Sequence, residues 1–168
     1  MNLELHTERL QIKPIALDDA AFMLELVNTP GWLRFIGDRN VEDLEGARNY
    51  IEGLLANPSI FYHSVFLKDT QEPVGVVTFL KRENEDHPDL GFAFLPQYQG
   101  KGVAYEASTS FLEALIKMDS FVYLLGITLA DNVNSINLLK RLGFNYLREV
   151  KREEETVHYY TYPLPKRD

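Results

Sequence analysis

Between Leu95 and Ala104 the chain reads Leu-Pro-Gln-Tyr-Gln-Gly-Lys-Gly-Val-Ala, where an apolar strand pattern runs through a glycine turn into an amphipathic helix. A turn that opens a helix this way leaves several backbone N–H groups without intrahelical acceptors, and the helix dipole adds partial positive charge there. Together they form an anion site suited to a diphosphate. Glycine at 100 and 102 lets the main chain come close to such a ligand, where a side chain would hold it away. About thirty residues downstream, roughly a helix plus a strand, a second helix opens at Asp131-Asn132-Val-Asn-Ser135 and closes in Leu142-Gly143-Phe144. Asn132 is a natural cap for that helix, and Gly143 supplies the left-handed residue that ends it. Taken singly these are an ordinary turn, cap and stop; their order and spacing give them meaning.

Other residues have types suited to acid–base work. Asp89 stands at the start of the strand before the glycine loop, where it reads equally as a turn-closing residue after Pro88. Glu106 falls in the first helical turn, where the dipole favours a carboxylate whatever its function, and its first reading is structural. His63, His87 and His158 are isolated, and a lone strand or loop histidine is usually a core or surface residue.

The positioning elements follow from periodicity. Arg9 to Ile15 alternates as a first strand ending at Pro14. Asp18 and Asp19 open a helix carrying Ala21, Phe22, Leu24, Leu26 and Val27, stopped by Pro30-Gly31. Trp32 to Asn40 reads as irregular. A second helix spans 41–56 with Leu44, Ala47, Ile51, Leu54 and Leu55 buried. Strands at 60–67, 74–81 and 90–95 form an antiparallel meander. The helix after the glycine turn carries Ala104, Ala107, Ser108, Phe111, Leu115 and Met118 on one face. Residues 121–129 make a central strand covered on both faces. A helix over 132–142 and a hairpin of 144–150 with 157–164 complete the chain. In that last strand, alternation sets His158, Tyr160 and Tyr162 on one face and Tyr159 on the other.

With 168 residues, no linker and no repeat, the expectation is one domain over 1–168, of class α/β (α+β). The absence of cysteine excludes disulfides, thiolate metal sites and a cysteine nucleophile, and fits a reducing compartment. The N-terminal segment has no basic and apolar leader pattern, and no run has membrane-spanning length, so a cytoplasmic protein with no membrane partner is expected. A net charge of -8 argues against nucleic acid as a partner and weakly favours a cationic acceptor.

Gln99, Gly102 and Ala104, with Asn132, Ser135 and Leu142-Gly143-Phe144, resemble the GNAT superfamily of acetyl-CoA-dependent N-acetyltransferases. That family's acyl-CoA loop reads Gln/Arg-x-x-Gly-x-Gly/Ala, and its late helix often reads Asn-x-x-Ser/Ala before Leu-Gly-Phe. Thr7-Glu8-Arg9-Leu10 and the helix start at Gly102-Val-Ala-Tyr-Glu106-Ala107 are similar to one branch, the ribosomal-protein N-terminal acetyltransferases and their small-molecule relatives.

The resemblance implies a mixed, mostly antiparallel central sheet flanked by helices. It implies acetyl-CoA as co-substrate and no metal, with Leu95, Gln99, Gly100, Lys101, Gly102, Val103, Ala104, Asn132 and Ser135 around the cofactor. Its oxyanion donor is a strand amide near Phe94 or Leu95, and its base a carboxylate at the position of Asp89. The usual tyrosine acid is replaced by Leu139, which passes the role of donor to sulfur to Ser135. The acceptor side would be walled by Trp32, Asp38 and the tyrosine-rich end around Tyr160. The acceptor expected is a primary amine, first a protein or peptide N-terminus, otherwise a polyamine, amino acid or aminoglycoside. A non-catalytic acyl-CoA-binding module and a homodimer both stay open.

Overall fold

The computed structural model describes residues 1–118 and 121–164; the last four residues of the expected domain 1–168 lie outside that range. Eight strands form one continuous sheet in the order β1-β2-β3-β4-β5-β6-β8-β7. They are β1 (Leu5–His6), β2 (Leu10–Pro14), β3 (Ile60–Leu67), β4 (Pro73–Leu80), β5 (Asp89–Phe94), β6 (Tyr123–Leu129), β7 (Asn145–Arg152) and β8 (Glu155–Pro163). Every neighbouring pair is antiparallel except β5 and β6. The expected meander is β3-β4-β5, and β1 is a short addition that pairs Leu5 with Ile12.

Helices cover both faces. On one lie α1 (Ala20–Val27), α2 (Pro30–Phe35) and α3 (Leu44–Ala56); on the other lie α4 (Val103–Lys117) and α5 (Val133–Arg141). The α4 face is a core of Leu10, Ile12, Val65, Val77, Phe79, Leu90, Phe94, Phe111, Leu115 and Leu124. The α1–α3 face packs Phe22, Met23, Leu26, Trp32, Ala47, Ile51 and Leu54 on Val76 and Leu95.

Several boundaries differ from the sequence reading for identifiable reasons. Pro30 does not stop α1 but starts α2, because proline suits the first helical position and the Thr29 hydroxyl accepts from Trp32 N at 3.3 Å. α3 begins at Leu44 rather than residue 41, because Asp43 caps it by accepting from Gly46 N at 2.7 Å. Leu44 and Leu55, expected inside, are about half exposed at the edges of the buried stripe. Val122 and Tyr123, at the entry to the expected central strand, are likewise exposed. The β7–β8 hairpin pairs Arg152 with Glu155, two residues beyond the expected strand end.

Candidate active site

The parallel pair β5–β6 is joined at a single register position, Asp89 with Leu125, where Leu125 N donates to Pro88 O at 2.9 Å. Beyond that point the two strands carry no ladder, so a gap opens through the sheet. On its other edge β5 stays paired with β4 throughout, from Asp89–Leu80 to Phe94–Gly75. Leu95 N donates to Val74 O at 2.9 Å, which fixes the alternation: the amides of Ala93 and Gly91 also turn to β4, and those of Phe92 and Phe94 turn to the gap. Phe94 therefore keeps an amide directed at the gap, and Phe92, which the sequence reading did not single out, has another. Leu95 differs from expectation. Its amide is taken by Val74, its carbonyl accepts from Tyr98 N at 3.0 Å, and its side chain is buried. The strand-to-turn transition consumes the groups it would have offered.

At the end of β5 the glycine loop has the form its sequence requires. Gly100 and Gly102 have φ of +74° and +75°, in the left-handed region where glycine is favoured. The first intrahelical bond of α4 runs from Glu106 N to Gly102 O at 3.0 Å, which leaves the amides of Val103, Ala104 and Tyr105 without helical acceptors. Gln99, Gly100, Lys101 and Gly102 are exposed, while Val103 anchors the helix in the core. Lys101 extends its ammonium over the Tyr98 ring, 5.7 Å from the centroid. A Cβ at Gly102 would meet the Arg9 guanidinium at 3.3 Å, so a side chain there would press on Arg9 and on a left-handed backbone. Open amides, two left-handed glycines and an adjacent guanidinium fit a diphosphate.

Glu106 is what holds the loop in place. One carboxylate oxygen accepts from Thr7 Oγ1 at 2.6 Å and Arg9 N at 2.9 Å; the other accepts from Arg9 Nε at 2.7 Å. Arg9 in turn donates to Lys101 O at 3.0 Å. Partial burial would raise the Glu106 carboxyl, but these hydrogen bonds and the Arg9 charge outweigh it and hold the group below its usual range. The Thr7-Glu8-Arg9 motif is thus the other half of a clamp on the loop. Sequence contained both halves, separated by more than half the length of the chain.

Across the gap, Asn132 caps α5 by accepting from Ser135 N at 3.3 Å, and Ser135 is partly exposed in the first turn. Leu139, at the position of the family's tyrosine, is buried against β6; a Cβ at Gly126 would lie 2.5 Å from its Cδ2.

The α1–α3 face of the gap is a different environment. Tyr62, Thr78 and Gly91 are cross-strand partners in one row, and Asp89 lies two residues along from Gly91 on the same face. Asp89 is 3% exposed and accepts a hydrogen bond from Arg82 Nε. Burial raises its carboxyl above the ordinary range, and Arg82 counters only part of that shift. Glu85 accepts from Tyr159 Oη at 2.7 Å and lies 3.8 Å from Arg148.

Three expected acceptor-side residues are placed otherwise. Trp32 is 3% exposed within the α1–α3 core, because α2 turns its indole inward. Asp38 is exposed and closes a local turn by accepting from Asn40 N at 2.7 Å. Tyr160 is 2% exposed and belongs to the core on the α4 side; strand alternation presents Tyr159 to the acceptor face instead. Arg34 and Phe35 of α2, not singled out in sequence, reach over to the other half of the molecule. Arg34 pairs with Asp131, and Phe35 packs with Leu125, Leu129 and Tyr159.

A sheet parted between the one parallel pair among its described strands, with an amide-rich glycine turn at the end of one of them, is the arrangement of an acyl-CoA acyltransferase. Residues 9–145 match the family described as acetyltransferase (GNAT) domain, and the chain belongs to that family. It is an N-acetyltransferase, and the family uses acetyl-CoA as co-substrate. An uncharacterized N-acetyltransferase, YnaD of Bacillus subtilis (strain 168), is 27% identical over 143 residues, which is 84% of this chain and 82% of that protein. The fold is shared with a GNAT-family acetyltransferase from Bacillus anthracis: TM-score 0.81, 20% identity, 96% of this chain and 98% of that one. It is shared as well with an acetyltransferase from Salmonella typhimurium described as modifying the N-terminal serine of ribosomal protein L7/L12. That likeness has a TM-score of 0.80 at 15% identity over 95% of this chain and 97% of that one.

Proposed function

We propose that the chain acetylates the α-amine at the N-terminus of a protein or peptide. The observation that carries this reading is the gap between β5 and β6, with α4 and α5 on one face of the sheet and α1–α3 on the other. Acetyl-CoA supplies the activated acetyl thioester. The amides of residues 102–105 and the Gly100–Gly102 turn hold its diphosphate, and Asn132 and Ser135 flank its arm from α5. The acceptor approaches from the opposite face, past Tyr62, Gly91 and Asp89.

Asp89 takes the ammonium proton, directly or through water; its raised affinity for protons brings it closer to the working pH than a free carboxylate. The Phe94 amide donates to the oxygen on which negative charge develops, and loss of such a donor costs about 3 kcal/mol in other acyl-transfer enzymes. The Ser135 hydroxyl donates to the departing sulfur, since Leu139 has no group to offer. A protein acceptor is supported by the likeness to the Salmonella enzyme named above.

A thiol-release assay with acetyl-CoA and a panel of peptides, polyamines, amino acids and aminoglycosides tests the reading. Turnover with free peptide α-amines, abolished by blocking them, is expected. Turnover with small amines alone, or tight binding of acetyl-CoA with no turnover, would overturn it.

A further inference from the structure

Beside the proposed acceptor path two carboxylates are engaged, while Arg82 keeps part of its guanidinium unspent. Asp89 is held by Arg82 Nε, and Glu85 by the Tyr159 hydroxyl and Arg148. Arg82 uses only Nε; among the described residues its two terminal nitrogens donate to nothing, and its side chain is 52% exposed. Arg39, on the loop between α2 and α3, spends a single nitrogen on Gly37 O at a marginal 3.5 Å. Tyr62 lies within the electrostatic reach of Tyr50 from α3 and of both Arg39 and Arg82.

An anionic side chain on the acceptor would find the terminal forks of Arg82 and Arg39 largely unspent. Such forks match a carboxylate in two-pronged geometry. The overall charge of -8 opposes an acidic ligand at long range. That field is screened beyond about 8 Å in physiological salt, so the local cations decide at contact.

Resting on the proposed peptide acceptor, we infer that the substrate carries a carboxylate side chain at its second residue, received by the terminal nitrogens of Arg82 with Arg39 beside it. Arg82 thereby has two contacts, Asp89 through Nε and the acceptor through its terminal nitrogens. Arg39 serves selectivity alone.

The test uses seryl tetrapeptides that differ only at position two, aspartate, alanine or lysine, with kcat/KM read by thiol release. The aspartyl peptide should exceed the alanyl one by about tenfold, the worth of one charge-assisted contact. Arg82→Gln should slow every peptide, since it also disturbs Asp89, and bring the aspartyl-to-alanyl ratio near one. Arg39→Gln should lower the ratio, and Arg39→Glu should favour the lysyl peptide. Equal or better rates on alanyl or lysyl peptides in the unsubstituted enzyme would overturn this inference alone, as would a ratio unmoved in the folded variants. Turnover of small amines with no peptide accepted would overturn the peptide reading, and this inference with it.

Discussion

Gly75 of β4 stands directly opposite Phe94 of β5, and the Phe94 ring lies across the space where a side chain at 75 would be. A Cβ at that position would fall 2.3 Å from Phe94 Cδ1 and 2.6 Å from the Ala93 carbonyl oxygen. The ring is thereby locked over β4, and the amide of the same residue is held toward the gap.

Gly75→Ala should therefore cost about 2 kcal/mol of stability through overpacking and lower kcat by at least about tenfold by shifting the Phe94 amide. Gly53→Ala is the control: it lies in α3 with nothing within 4 Å of the added methyl, and should gain about 0.5–1 kcal/mol with activity unchanged. Urea denaturation and steady-state kinetics on both variants check the pair. Equal behaviour of the two would show that the Gly75–Phe94 contact does not position the amide.

The Thr7–Arg9–Glu106 clamp gives a second expectation. Glu106→Gln keeps the size of the side chain but loses the ionic acceptor for Arg9, and should weaken acetyl-CoA binding several-fold while costing about 1–2 kcal/mol of stability. Because Glu106 is held below its usual range, its contribution is present above the ordinary glutamate pKa of about 4.3 and disappears as pH falls through the lowered value. Calorimetric titration at neutral pH measures the first effect. If affinity is unchanged, the clamp does not support the loop.

With Asp89 as the proposed base, its carboxyl should set the acid limb of the pH–rate profile. Burial raises its carboxyl, so kcat/KM should rise with pH through a value above the ordinary carboxylate range as the base ionises. Arg82 is the influence that lowers it, and Arg82→Gln should move that limb to higher pH. An unmoved limb would assign the base elsewhere.

His63 on β3 is fully buried against Phe111, ring centroids 5.0 Å apart, with both nitrogens lacking a hydrogen-bond partner. Burial, aided by the N-terminal ammonium, lowers its pKa to about 4 from about 6.5. The folded form keeps this side chain neutral, while the unfolded chain takes up a proton below about 6.5. Stability is thus intact above pH 6.5 and falls between there and about 4, by at most about 3 kcal/mol from this residue. His63→Leu should flatten that part of the stability–pH curve measured by urea denaturation. A curve as steep as before would place the titration on other groups.

Much of this architecture was legible in the chain because local rules agreed with the global fold. The β3–β4–β5 meander, α4 and the glycine loop all follow from alternation, 3.6-residue periodicity and two glycines that require positive φ. What escaped was non-local. Nothing near Glu106 announces that its partners are Thr7 and Arg9, and nothing near Leu95 shows that Val74 claims its amide. Tyr159 and Tyr160 differ only in which face each meets, and both faces are buried, so composition favoured neither. Pro30 reads as a stop or a start with equal right until the Thr29 cap is seen.

The most direct test of the cofactor cradle is acetyl-CoA titrated into the protein and into Gly102→Glu by calorimetry. A carboxylate side chain at 102 would meet Arg9 and set negative charge at the proposed diphosphate cradle. One-site binding by the unsubstituted chain, lost in a variant that is still folded by circular dichroism, is the expected result. Equal affinity in the two proteins would contradict the account.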